Sequence, residues 1–211
     1  SGAACFAIEQ IEAGKAKNAF CPVRPPGHHA LSMVPMGFCL LNHVAVAARY
    51  AIESGYAEKV AILDFDVHHG TGTQAIFEES PEVLFVSSHQ MPLFPGSGSP
   101  QETGVGNIVN LPLSPGDGGE TFHAAWSGRG LPAVERFKPD LVLVSAGFDA
   151  HERDPLGGLL LKDEDYGWIT AEIRKLAESH CGGKIVSMLE GGYDLEALET
   201  ASAAHVQALT S

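Results

Sequence analysis

The sequence is short of positive charge, of cysteine and of long apolar runs, and each shortage narrows what the chain can do. Thirteen Lys and Arg stand against 26 Asp and Glu, a formal charge of −13. That balance argues against nucleic acid or an anionic membrane as partner, since both are bound through basic patches. It favours cationic ligands, though only weakly. The four cysteines (Cys5, Cys21, Cys39, Cys181) form no CxxC pair and no dense framework. They read as reduced core thiols of a cytoplasmic protein. No run approaches the roughly 18 apolar residues of a membrane span, and the start lacks a basic-then-apolar leader pattern. The 211 residues are 45% hydrophobic, enough for one domain over 1–211 with a sizeable core.

What is present is a series of short apolar runs, each ending in polar or glycine-rich residues. Val60–Leu63 runs into Asp64-Phe65-Asp66, and Val83–Val86 into Ser87-Ser88-His89. Leu141–Val144 leads to Ser145-Ala146-Gly147-Phe148-Asp149, and Lys184–Leu189 to Glu190-Gly191-Gly192-Tyr193. Near-continuous Val/Ile/Leu runs suit strands buried on both faces, as in a parallel sheet. Helical spacing between them predicts helices over Phe38–Ser54, Thr121–Phe137, Asp163–His180 and Glu196–Leu209, the second bent by Gly128, Gly130 and Pro132. The alternation predicts an open, mainly parallel α/β sheet flanked by helices. Ligands of such sheets gather at the carboxyl ends of the strands, where every polar terminus above falls. Gln90–Gly119, long and rich in Gly and Pro with one apolar run at Ile108–Leu113, reads as a wall of that pocket.

Four segments carry chemistry. In Asp64-Phe65-Asp66-Val67-His68-His69-Gly70, alternate residues of a strand share a face, so Asp64, Asp66 and His68 point together. Two carboxylates and an imidazole converging at a strand end need a cation or strong donors. Asp149, at the end of another strand, supplies a third ligand; three protein ligands with one open place is the pattern of a catalytic zinc site. Aspartate-rich ligation suits other divalent metals equally. In Arg24-Pro25-Pro26-Gly27-His28-His29-Ala30, the histidine pair could take a proton from water on the metal and return one to a leaving amine. Gly191-Gly192 turns the chain to deliver Tyr193, whose hydroxyl could hold an oxyanion. The remaining histidines (His43, His123, His151, His180, His205) read as surface or locally bonded. His151-Glu152-Arg153-Asp154 reads as a solvated loop, and Trp126 and Trp168 as packing residues.

RPPGHHA, GFCLLN, DFDVHHGTGTQ, VSSHQMPLFPG, SAGFDAHERDPLGGL and LEGGYD, in this order across nearly the whole chain, resemble the zinc-dependent histone deacetylase family, nearest its class II and bacterial amidohydrolase branch. The resemblance implies an arginase/deacetylase fold and hydrolysis of an N-acetyl amide, such as acetyl-lysine, to acetate and a free amine. It implies zinc on Asp66, His68 and Asp149, a general acid/base pair in His28 and His29, and carbonyl polarisation by Tyr193. Asp64 would orient His28 and, with Asp66, His68, Ser87 and Ser88, help hold a structural potassium ion. Phe38 and Phe94 would grip the lysine methylenes, Leu156 would sit at the rim, and the Gly37 carbonyl would accept from the substrate amide. An acetylpolyamine amidohydrolase of the same family is the alternative, against which Leu156 weighs; a catalytically impaired module that binds acetylated ligands is another.

There are two departures. Thr71 stands where the family places Asp or Asn to orient the second histidine. The family also carries about a hundred further residues before the point matching Ser1, whereas the end through Ala204-His205-Val206 matches it. A chain without that segment is expected to expose apolar surface near its amino end and to self-associate.

Overall fold

A computed structural model describes residues 1–211. Six parallel strands form one sheet in the order β1-β6-β5-β2-β3-β4. They are β1 (Asn18–Cys21), β2 (Val60–Asp64), β3 (Val83–Gln90), β4 (Ile108–Leu113), β5 (Leu141–Ala146) and β6 (Ile185–Leu189). Each central strand is buried along its whole length, as the unbroken aliphatic runs require. Alternate residues feed two opposite cores: Ala61 and Leu63 of β2 enter one, Val60 and Ile62 the other.

On one face lie α1 (Gly2–Glu12), α2 (His43–Glu53) and α3 (Thr71–Phe77). On the other lie α4 (Gly119–Ala125), α5 (Leu131–Phe137), α6 (Asp163–Cys181) and α7 (Leu195–Thr210). The chain leaves central β2 outward through β3 and β4, then returns to place β5 on β2's other side. That reversal opens a crevice between the loops after β2 and β5, the position where such sheets bind ligands.

The structure differs from the sequence expectations in particular places. α2 starts at His43, not Phe38, because Asn42 caps it: Oδ1 accepts from Ala45 N at 3.0 Å. Thr121–Phe137 is split by a π-helical turn at Trp126–Gly130, where Gly130 packs so tightly on the Trp126 indole that a Cβ would stand 2.6 Å from it. β3 continues to Gln90 because its polar end pairs with β4, which makes Ile108–Leu113 an edge strand and shortens the free loop. α3, only seven residues long, carries too few turns to announce itself by periodicity, and α1 is a further helix outside the expected set.

His151 and Asp154, read as solvated, are both buried, as is His205 in the core. All four cysteines are free thiols, and no helix is long and apolar enough to cross a membrane. Met33, Val34, Leu40 and Leu41 stand exposed around an apolar cavity of about 690 Å³ between α1, α2 and the loop before α2, and Phe6 of α1 is exposed as well.

Candidate active site

Asp66 and His68 lie just past the end of β2, and Asp149 three residues past β5. Their ligand atoms all fall within 4.8 Å of one another. His68 Nδ1 stands 3.2 Å from Asp66 Oδ1 and 3.1 Å from Asp149 Oδ2. Around a tetrahedral centre with ligand bonds of roughly 2.0–2.2 Å, ligand atoms stand roughly 3.3–3.6 Å apart, so the cluster fits such an ion with little adjustment. Both carboxylates are fully buried. Backbone N–H groups orient them: Gly191 N donates to Asp66 Oδ2 at 2.8 Å and Val67 N to Asp149 Oδ1 at 2.9 Å.

The electrostatics call for a positive charge here. Burial, then the Asp66 charge, raises the Asp149 carboxyl to about 7. Burial opposes a charge on His68, yet its hydrogen bonds to Asp149 and Asp66 raise it to about 10. The same two carboxylates that hold a proton on this ring would hold a metal cation.

His28 sits beside the cluster, seven residues into the long loop that follows β1. Its Nδ1 donates to Asp64 Oδ2 at 2.9 Å, and its Nε2 lies 3.7 Å from Asp66 Oδ1. Burial works against its charge, but Asp64, Asp66 and Glu190 overcome this and push it well above the ordinary histidine value. Asp64 is thus turned toward His28, while Asp66 and His68 meet Asp149. Asp66 and His68 face the crevice although the regular strand ends at Asp64, which is itself wholly buried.

His29 packs against His28 with ring centroids 4.1 Å apart. Burial, then the neighbouring His28, lowers its pKa to about 2. Its Nδ1 is buried without a hydrogen-bond partner. Thr71 supplies none, although its neighbour Gly72 packs directly on the backbone of His29 and Ala30. His69 turns the other way, bonding Ser97 Oγ at 2.8 Å and Gln74 Oε1 at 2.9 Å.

Glu190, for which the sequence alone suggests no role, organises this corner. Fully buried at the end of β6, it accepts from Gly27 N at 2.6 Å and His28 N at 3.1 Å through Oε2, and from Ser145 Oγ at 3.0 Å through Oε1. Its signal was a carboxylate directly following an apolar strand. Next to it Gly191 has no room for a side chain: a Cβ would lie 2.0 Å from Asp149 Oδ2. Gly192 adopts φ +130°, a conformation that L side chains rarely take, and the chain turns there to Tyr193.

A cavity of about 320 Å³ opens over these groups, with His28, His29, Asp66 and His68 among its lining. Gly37, Phe38, Leu93, Phe94, Leu156 and Tyr193 line it as well. Phe94 stands edge-on to His29 at 5.2 Å between centroids, and Phe38 edge-on to Tyr193 at 5.9 Å. Phe38, Phe94 and Leu156 are all partly open to solvent, as lining groups must be. Asp64 and Ser87 are register partners on β2 and β3, both fully buried, with Ser88 beside them.

An open parallel sheet with an Asp/His/Asp cluster and a paired histidine at its switch point defines a class of α/β protein whose strand ends could hold a metal. Comparison with known families narrows it: residues 1–209 match the histone deacetylase domain model, and the chain belongs to that family. It is 47% identical over 188 residues to histone deacetylase 10, chloroplastic, of Oryza sativa subsp. japonica, covering 87% of this chain and 42% of that protein. It is 42% identical over 200 residues to a probable deacetylase of Archaeoglobus fulgidus (93% and 55%). It is 43% identical over 198 residues to the histone deacetylase-like amidohydrolase of Pseudomonas aeruginosa (92% and 52%). The crystal structure of the HDA15 HD domain superposes with TM-score 0.91 at 40% identity, covering 99% of this chain and 61% of that one. The chain therefore spans about half the length of the curated relatives it matches.

Proposed function

We propose that this chain is the catalytic part of a zinc-dependent deacetylase, hydrolysing an N-acetyl amide of the acetyl-lysine kind to acetate and free amine. The observation that carries the reading is the meeting, at one cavity floor, of the Asp66/His68/Asp149 cluster with the Asp64-paired His28 and with His29 and Tyr193 at hand. When bound, zinc would acidify a water and polarise the acetyl carbonyl. His28, held by Asp64, and His29 act as the acid/base pair, one accepting a proton from the attacking water and one supplying a proton to the departing nitrogen. The Tyr193 phenol, kept protonated by burial and by the nearby Asp66 and Asp149 charges, donates to the oxyanion. Phe38 and Phe94 exclude water around an apolar stem, and the Gly37 carbonyl accepts from the substrate amide.

Leu156 at the rim supports an acetylated lysine side chain over an acetylated polyamine, whose second amine would be better served by a carboxylate. Asp64, Asp66, His68, Ser87 and Ser88 would also hold a structural potassium ion, the oxygen donors suiting a hard monovalent cation. The apolar patch about Met33, Leu40 and Leu41 supports self-association. The net charge of −13 speaks against nucleic acid as partner.

The test is turnover of a fluorogenic acetyl-lysine substrate by the zinc-loaded chain, with acetylspermidine alongside. Tyr193→Phe is expected to lose roughly 10²–10³ in kcat while zinc stays bound. Zinc-loaded protein that binds acetyl-lysine but never releases acetate would make the chain a binding module instead.

A further inference from the structure

The loop after Asp149 contains a carboxylate to which the reaction as described assigns no part. Asp154 is only 6% exposed, although it follows Arg153 in a run that the sequence alone reads as solvated. Its Oδ2 accepts from Tyr193 N at 2.7 Å and from Asp194 N at 3.4 Å, and its Oδ1 accepts from Leu156 N at 2.9 Å. No cation pairs with it, since Arg153 reaches instead to Asp194 at 3.5 Å and Glu196 at 2.6 Å. One buried carboxylate is thus held by three backbone donors. They come from two loops, one shaping the cavity rim and the other carrying the tyrosine, which lies 39 positions from Asp154 in the chain.

We propose that Asp154 is a positioning residue for the deacetylation proposed above, fixing Tyr193 and the rim at Leu156 in one register. Charge-assisted bonds to backbone N–H groups are short and directional, so they locate the peptide itself, not a flexible side chain. With the Tyr193 backbone pinned by Asp154 and its ring edge-on to Phe38, the hydroxyl is left little angular freedom. The chemistry requires a carboxylate in this place. Asparagine offers one oxygen, and its amide group would set N–H against N–H on whichever side it faced.

The proposal rests on the deacetylase reading, so its test has two arms. In the first, Asp154→Asn, Tyr193→Phe and the double variant are assayed zinc-loaded. Asp154→Asn alone should lower kcat about 10- to 100-fold, the cost of a displaced catalytic group. In the Tyr193→Phe background the same change should cost no more than about twofold, because non-additive losses identify residues that act as a unit. Equal losses in the two backgrounds would overturn the proposal.

The second arm needs no activity. In ¹H–¹⁵N spectra the Tyr193 and Leu156 amides should lie downfield and exchange slowly, and both features should vanish in Asp154→Asn. Unchanged amides would refute the role even if the wild type turns nothing over, an outcome that would instead count against the deacetylase reading. Asp154→Ser, whose hydroxyl accepts fewer bonds, serves if the Asn variant does not fold, and Arg153→Ala controls for general loosening of the loop.

Discussion

His28 Nδ1 and Asp64 Oδ2 lie 2.9 Å apart in a place that water does not reach, His28 being 2% exposed and Asp64 0%. A carboxylate so placed fixes both the ring orientation and the nitrogen that carries the proton, leaving Nε2 turned toward the metal cluster. Asp64→Asn keeps the shape and removes the charge. It is expected to lower kcat by about 10²-fold or more, within the range of general acid–base catalysis. Zinc content by elemental analysis should be unaltered, because Asp64 is not one of the three clustered ligands.

The unpartnered Nδ1 of His29 gives a prediction in the opposite direction. Thr71→Asp would place an acceptor next to Gly72, which already touches the His29 backbone. The variant should raise turnover severalfold. No change in the rate, with the protein folded, would mean that residue 71 does not reach the ring.

Gly191→Ala tests the cradle of the cluster. A methyl group 2.0 Å from Asp149 Oδ2 and 2.7 Å from Asp66 Oδ2 must push one carboxylate aside. Zinc affinity, measured by chelator competition, is expected to fall about 10- to 100-fold, the range seen when groups that orient a ligand are lost. Thermal stability of the metal-free protein should fall too, since the displaced carboxylate loses backbone donors.

His205 predicts how stability depends on pH. Its Nδ1 donates to Thr170 Oγ1 at 2.6 Å, because that hydroxyl spends its own proton on Tyr166 O, and Ser187 Oγ donates to Nε2 at 2.8 Å. Burial lowers its pKa to about 3. Between that value and the ordinary 6.5 the unfolded chain takes up a proton that the folded chain refuses. Stability is therefore full above pH 6.5 and falls by about 1.4 kcal/mol for each unit below it. In urea unfolding with chelator present, the wild type should lose about 2 kcal/mol more than His205→Gln between pH 7 and pH 5. An equal loss in both would show that His205 is protonated in the folded state.

Much of this arrangement is legible in the sequence because it is written in backbone periodicity and local motifs. The aliphatic runs before Asp64, Ser87, Asp149 and Glu190 announce parallel strands and say which end the polar groups occupy. The missed features have physical reasons. Asp154 follows Glu152 and Arg153, and nothing in a charged run shows which member turns inward to collect amides from a loop 39 residues away. Glu190 has partners in two distant segments, Gly27-His28 and Ser145, and long-range partners leave no local trace. The helix start at His43 hid behind Phe38, Leu40 and Leu41, whose apolar character belongs to exposed surface and not to a buried helical stripe.

The strand order has a last consequence, for how the site comes into being. No two neighbouring strands are joined by a hairpin. β1 waits for β6, pairing Asn18 with Ile185, and β2 finds β5 only after β3 and β4 have been made. Such non-local pairing slows folding, because chain closure is paid for before contacts repay it. Since β2, β5 and β6 each contribute to the Asp66/Asp149/Gly191 corner, no partly assembled chain possesses it. Acquisition of metal affinity should accordingly be among the final events of refolding, and a stopped-flow trace of zinc uptake would time completion of the whole sheet.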